Sequence, residues 1–274
     1  MKKIAVLMAC HNRREKTLSC LKALYASVFT SQEASFHVYL VDDGSTDGTS
    51  EETKKHFPQV KVIQGTGELY WNRGMHLAWQ EAAKESHDFF LWLNDDTIIF
   101  PDAIAEMLDC ASLTDNHAVI CGAICSGVNG QFTYGGRNKE GAEIKPNGSV
   151  QNCYSINGNC VLIPYSVYKS VGILDPIFPH AIGDFEYGLR VLKKGMKVVT
   201  TRKYIANCER NASLPKWCYS TVPLQTRIKA LYSPLGNAHP YYFFIYEKRH
   251  IGLPIAILHY ITIHLRALIP SLWK

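Results

Sequence analysis

Over the first 125 residues, five short apolar runs alternate with helical stretches, and that alternation limits the fold more than any other feature. The runs are "IAVLMA" at 4–9, "HVYLVDD" at 37–43, "VKVIQG" at 60–65, "FFLWLN" at 89–94 and "AVICGAIC" at 118–125. Between the first two lies a stretch from about Arg14 with Leu18, Leu21, Leu24 and Val28 on one face. "GSTDGTSEETKKHF" follows the second, with Ser45, Thr46 or Asp47 as its cap, and "NRGMHLAWQEAAKES" follows the third. Pro101 opens a further helix, to about Ala111. Strands joined by helices of this length need right-handed crossovers. The expectation is an α/β fold with a mainly parallel sheet flanked by helices.

Ligands bind such sheets at the carboxyl ends of the strands. Polar clusters stand at those ends here: Cys10-His11-Asn12, Asp42-Asp43 and Asn94-Asp95-Asp96. The third is the most demanding. "LWLNDDTIIF", 91–100, reads as a buried strand carrying two adjacent carboxylates. Burying either charge without a partner costs several kcal/mol, so a cation is expected beside them.

The pattern changes after about residue 126. "VNGQFTYGGRNKEGAEIKPNGSVQN" is a turn-filled hairpin region. "NGNCVLIP" at 157–164 is a strand ending at a helix-starting proline. "IGDFEYGLRVLKKG" at 182–195 is helical, with Leu189 and Leu192 inward and Gly195 as terminator. No GxGxxG follows the first strand and there is no Walker A lysine loop, which argues against a dinucleotide fold and a P-loop NTPase. "GTGEL" at 65–69 is a weak phosphate cradle.

A chain of 274 residues suffices for one large or two modest domains, and 47% hydrophobic with 19% charged residues excludes disorder and coiled coil. "MKKIAVLMACHNRREKT" has a signal-like start, but its apolar stretch is short and no small-residue cleavage site follows; it reads as a first strand. The nine cysteines form no CxxC pair, so they read as reduced core residues of a cytosolic protein. Charge is divided unevenly. From Tyr187 onward there are fourteen Lys/Arg against two acids, leaving fifteen against twenty-two before it. A basic last third points to an anionic partner.

Together "VDDGSTDGT", "LNDDT", "NGNCVLIP" and "GDFEYGLRVLKKG" resemble an inverting family 2 glycosyltransferase of the GT-A fold, over residues 3 to 210. The likeness is greatest to bacterial rhamnosyl- and galactofuranosyl-type transferases of surface polysaccharide synthesis. The resemblance implies that Asp96, with Asp95, holds Mn²⁺ or Mg²⁺ against the donor's diphosphate. The family's acidic triplet begins with Asn94 here. Ala9, His11, Asn12, Asp42, Asp43, Asn72, Arg73, Asn94 and Asp95 are the implied contacts to the nucleotide-sugar. Asp184 takes the general-base position, with Glu186 as the alternative, while Asn157, Asn159 and His180 stand toward the acceptor.

The resemblance further implies a GT-A domain over 1–210, its nucleotide-sugar half at 1–125 and its acceptor half at 126–210. A helical basic extension occupies 211–274. The expected partners are a UDP- or dTDP-sugar and a glycan or lipid-linked glycan acceptor, with no nucleic acid. The tail "YYFFIYEKRHIGLPIAILHYITIHLRALIPSLWK" is interrupted by His259, His264 and Arg266. It is therefore too short to span a bilayer. It reads as an interfacial helix with Ile, Leu and Trp in the acyl boundary and Lys248, Arg249, Arg266 and Lys274 at anionic headgroups. Packing on the catalytic domain or a homodimer interface is the alternative use of those residues. The expected location is cytoplasmic, peripheral on the inner face of the plasma membrane. The competing functions are a non-catalytic nucleotide-sugar or carbohydrate-binding protein of the same fold, and a nucleotidyltransferase. The latter lacks its Gly-rich, Arg/Lys-containing phosphate loop.

Overall fold

The computed structural model describes residues 1–28, 34–210 and 214–273. The chain runs β1 (Lys2–Cys10), α1 (Arg14–Val28), β2 (Ala34–Asp42), α2 (Thr49–His56), β3 (Lys61–Gln64), α3 (Tyr70–Ala82) and β4 (Phe89–Leu93). It continues through β5 (Ile98–Ile99), α4 (Ala103–Ser112), β6 (Ala118–Cys125), β7 (Phe132–Tyr134), β8 (Cys160–Pro164), α5 (Tyr165–Val171) and α6 (Gly183–Lys193). β9 (Lys197–Asn207), α7 (Leu224–Leu231), α8 (Pro240–His250) and α9 (Leu253–Leu268) complete it.

One sheet has the order β3-β2-β1-β4-β8-β6-β9-β5, with β7 on β6. β3, β2, β1 and β4 are mutually parallel. β8 then runs antiparallel to both neighbours, and β6 pairs in parallel with β9. The parallel half agrees with the expectation; the remainder is mixed.

Alternation along the strands fills both faces. Ile4, Val6 and Met8 pack with Cys20, Leu21 and Leu24 of α1 and Ile104 and Met107 of α4. Ala5, Leu7, Phe90 and Trp92 pack with Met75 and Trp79 of α3 and Tyr187 and Val191 of α6. A sheet covered on both sides needs near-continuous apolar strands, and "FFLWL" is one. Leu189 is buried and Leu192 partly so, as expected. The side chain of Val28 lies outside the described residues. Eight of the nine cysteines are buried and none is paired.

Two expectations are corrected, and one strand was missed. The run 91–100 is two strands: β4 stops at Leu93, residues 94–97 turn, and β5 pairs with β9. The polar triplet forces the turn, because its side chains have no apolar layer to enter. The fourth helix begins at Ala103, not Pro101; the Asp102 carbonyl accepts its first helical bond, from Glu106. The strand β9 was not foreseen, because Thr-Thr-Arg-Lys interrupts its apolar pattern. Residues 214–273 form helices around a small cluster of Trp217, Leu231, Ile263 and Ala267.

Candidate active site

The chain leaves β1 toward β2 and β3 on one side and returns to β4 on the other. A crevice opens where strand order reverses in this way. There a cavity of about 680 Å³ is lined by Ala9, His11 and Arg13 after β1, Asp43 after β2, and Tyr70 and Trp71 at the start of α3. Asn94, Asp95 and Asp96 after β4, Asn157 to Asn159 before β8, and His180, Ala181, Ile182 and Asp184 at the start of α6 face the same space. Asn12, Tyr70 and Ile182 flank it with φ of 51°, 58° and 76°. For a β-branched residue such as Ile182 this is a true outlier, and strain of that kind gathers at functional sites.

Basic side chains stand beside the carboxylates. Arg13 Nη1 donates to Asp95 Oδ1 at 3.0 Å and to Asp96 Oδ2 at 2.9 Å, and Lys16 Nζ stands 3.9 Å from Asp96. Asp95 is buried, its Oδ2 has no hydrogen-bond partner among the described residues, and burial pushes its carboxyl up to about 6. Asp96 is more open and also accepts from the Cys208 thiol.

Asn94 has a defined place. Its Oδ1 accepts the Trp71 indole N–H at 2.7 Å, and its backbone N–H donates to the Asn159 carbonyl at 2.9 Å. An amide supplies that acceptor without setting a third negative charge beside Asp95 and Asp96. Residues 157–159 pass between Trp71 and Asp184. A Cβ on Gly158 would fall 2.5 Å from the Trp71 ring, so the approach requires glycine.

Asp184 lines the cavity in the first turn of α6. Its Oδ2 accepts the Gly158 N–H at 2.8 Å and its Oδ1 the Phe185 N–H at 2.9 Å. Desolvation outweighs these bonds and pushes the carboxyl up to about 6. Nearby, His180 Nδ1 accepts the Trp71 backbone N–H at 3.3 Å, which leaves the neutral ring's proton on Nε2. Burial, then the Arg13 charge, lowers its pKa.

Other expected residues do structural work. Asp43 lines the cavity, but its carboxylate takes the backbone N–H groups of Gly67, Leu69 and Tyr70 and so shapes that loop. His11 Nδ1 donates to the Asp43 carbonyl at 2.6 Å, leaving its exposed ring at the rim. Asp42 is buried outside the lining, bound to the Ser45 N–H and the Ser50 hydroxyl. Asn12 ties β1 to the 44–47 turn through Thr46. Asn72 is fully buried and donates to the carbonyls of Asp175 and Phe178, and Arg73 donates to Pro176. Glu186 does not reach the cavity. It is buried against Arg190 at 2.8 Å, His250 at 3.4 Å and Arg249 at 3.7 Å, where it docks the C-terminal helices.

Sequence reasoning missed Arg13, Trp71, Tyr134, Cys208, Glu209, Leu235 and Asn237, all on the cavity wall. Arg13 was discoverable as the basic residue directly after His11-Asn12. Trp71 adjoins Asn72, but one residue along a helix turns the side chain by about 100°, so one faces the cavity and the other the core. Leu235 and Asn237 belong to the C-terminal extension, and no local pattern marks them.

A profile described as "Glycosyl transferase family 2" matches residues 5–169. The O-antigen biosynthesis protein RfbC of Myxococcus xanthus is 24% identical over 216 residues, 73% of this chain. The chain spans 16% of that protein's length. Among solved structures, S. aureus TarS 1–349 aligns with a TM-score of 0.54 at 16% identity, covering 87% of this chain and 68% of that one. GalNAc-T7, crystallised with UDP, GalNAc and Mn²⁺, aligns with a TM-score of 0.65 at 14% identity, covering 90% of this chain and 48% of that one. These structural likenesses show the GT-A fold.

Proposed function

The chain belongs to glycosyl transferase family 2, and from that premise we propose that it moves a sugar, with inversion, from a UDP- or dTDP-sugar to a hydroxyl of a lipid-linked glycan in surface polysaccharide synthesis. One observation carries this reading. A carboxylate with its pKa raised to about 6, Asp184, shares one cavity with a carboxylate pair, Asp95 and Asp96, that already holds a cation. Inverting transfer needs those two functions apart: a base for the acceptor and positive charge for the leaving group.

Asp184 accepts the proton of the acceptor hydroxyl as that oxygen bonds to the anomeric carbon. The bond from that carbon to the diphosphate breaks, and its electron pair leaves on the β-phosphate oxygen. Two backbone N–H groups fix the carboxylate's orientation. Its raised pKa makes it a stronger proton acceptor than an ordinary aspartate while leaving it ionised at pH 7.

The donor set at Asp95 and Asp96 fits a hard divalent cation, because the buried Asp95 Oδ2 is without a partner among the described residues and all donors are carboxylate oxygens. Asp96 and Asp95 would hold Mn²⁺ or Mg²⁺, whose charge would neutralise the departing diphosphate. Arg13 bridges the same carboxylates, so guanidinium and divalent cation compete for them. Asp43, by shaping the 65–70 loop, and His11, as a ring at the rim, are assigned to the nucleotide end. Asn157, Asn159 and His180 are assigned to the acceptor end.

The relatives support the donor class and the pathway. RfbC is an O-antigen biosynthesis protein, and TarS 1–349 was crystallised with UDP-GlcNAc and with UDP. The test is to incubate the protein with UDP- and dTDP-sugars and Mn²⁺ and follow donor hydrolysis. Turnover supports transfer, whereas binding without turnover moves the assignment to the non-catalytic alternative. We assign the C-terminal helices to an anionic bilayer surface on the cytoplasmic side, where a lipid-linked acceptor is presented. No helix among the described residues is long and apolar enough to cross a membrane.

A further inference from the structure

At the opposite end of the sheet from the cavity, three side chains converge. His37 comes from β2, Glu85 from the turn after α3, and His87 from just before β4. We propose that His37, Glu85 and His87 form a binding site for a borderline divalent cation of the Zn²⁺ type, with water in the fourth position. This site is independent of the sugar-transfer reading.

The geometry carries the inference. His87 Nε2 lies 3.3 Å from His37 Nδ1, and His37 Nδ1 lies 3.7 Å from Glu85 Oε2. One ligand atom from each residue falls within 4.8 Å of the others. A tetrahedron with metal–ligand bonds of about 2.0–2.1 Å has edges of roughly 3.3–3.4 Å. The His87–His37 separation matches such an edge, the His37–Glu85 separation exceeds it by a few tenths of an ångström, and the third lies within 4.8 Å, so small side-chain rotations bring the three atoms onto one face. Two imidazole nitrogens and one carboxylate oxygen form a donor set suited to Zn²⁺ rather than to Mg²⁺, which demands octahedral oxygen.

The surroundings hold the ligands in place. His87 is buried and packed edge-on to Tyr39 and tilted against Phe90. Its Nε2 is directed toward His37. The Tyr39 hydroxyl stands close to the Glu85 carboxylate, where an outer contact could orient a ligating carboxylate. β1 lies between the strands concerned, and its residue level with His37 is Ala5, which adds no bulk. His37 and Glu85 are exposed, leaving the fourth position open to solvent. A bound cation would join β2 to the α3–β4 turn and thereby stabilise the folded state.

The test uses metal-free full-length protein and Co²⁺ as a spectroscopic probe. Wild type should develop the strong visible bands of tetrahedral cobalt, saturating at one equivalent and displaced by Zn²⁺. Zn²⁺, but not Mg²⁺, should raise the melting temperature by a few degrees. His37→Ala and Glu85→Ala change exposed side chains and should remain folded. Each should weaken binding at least tenfold and lose the Zn²⁺-dependent shift, while Asp96→Ala should retain the cobalt bands. Bands of undiminished strength in His37→Ala, or no saturable binding by wild type below millimolar metal, overturns the site.

Discussion

If Asp184 is the base, as proposed, it ties catalysis to stability through a single proton. Its folded pKa, about 6, lies above its ordinary value of 3.8, so between these values the native state binds more protons than the unfolded chain. Its stabilising contribution is complete below about pH 4 and is lost as pH rises through about 6. Activity has the opposite sign, because the base must be ionised: kcat/KM should climb through about pH 6 and level off above it. Asp184→Asn should lower transfer by roughly 10² or more while donor affinity stays within a few-fold. The same variant should gain stability relative to wild type between pH 4 and 7, measured by urea melts at each pH. A pH-independent stability difference would place the proton elsewhere.

Arg13 offers a second test at this scale. Its guanidinium holds both Asp95 and Asp96, and a divalent cation must share or replace it. Arg13→Met should therefore bind Mn²⁺ alone more tightly, by about tenfold for 1.4 kcal/mol of repulsion removed. Without metal it should be less stable, because Asp95 is left buried with no paired charge. Asp96→Ala should abolish metal-dependent donor binding and keep the fold, since its side chain lies outside the strand core. Calorimetric titration of each variant with Mn²⁺, with and without donor, separates the two effects.

At the scale of elements, the site depends on how closely three backbone segments approach. Gly158 lets the 157–159 segment run against Trp71 while presenting its N–H to Asp184. Gly158→Ala should displace the indole, break its bond to Asn94 and turn the base, lowering kcat by about 10²-fold with a smaller change in KM. A near-normal kcat would show that the segment has room to shift. This level also shows what was legible in the chain. The five parallel-type runs and their polar ends were readable, because periodicity and turn residues are local signals. β9 was not, since its place between β6 and β5 is fixed by pairing with distant strands and not by its own pattern. The place of Asp184 on the cavity wall was foreseen from a motif. The different duties of Asp43 and Asp42, and the packing of Glu186 against His250, depend on partners remote in sequence, which no local pattern reveals.

At the scale of the molecule, α9 is apolar on two sides, as a helix on an ordinary surface is not. Ala256, Ile263 and Ala267 are buried on one stripe. Ile257, Leu258, Ile261, Leu265 and Leu268 form another, each about half exposed. At 100° per residue these five fall within one narrow arc facing away from the buried stripe. From 248 to 273 there is no acidic residue, while Lys248 and Arg266 are basic. Arg249 is already bound to Asp175, and Lys274 and the side chain of Trp273 lie outside the described residues. An apolar stripe flanked by positive charge matches an anionic bilayer surface. Because Leu235 and Asn237 of the same extension line the cavity, a membrane bound there would bring a lipid-linked acceptor near Asp184. Changing Ile257, Leu258, Ile261 and Leu265 together to Ser spares the buried stripe and the Glu186 contacts. The variant should keep its melting temperature within a few degrees yet lose at least tenfold in co-sedimentation with anionic vesicles. Wild-type binding should fall at high salt. Unchanged vesicle binding, with a dimer of the wild type converted to a monomer, would instead assign the stripe to a second copy of the chain.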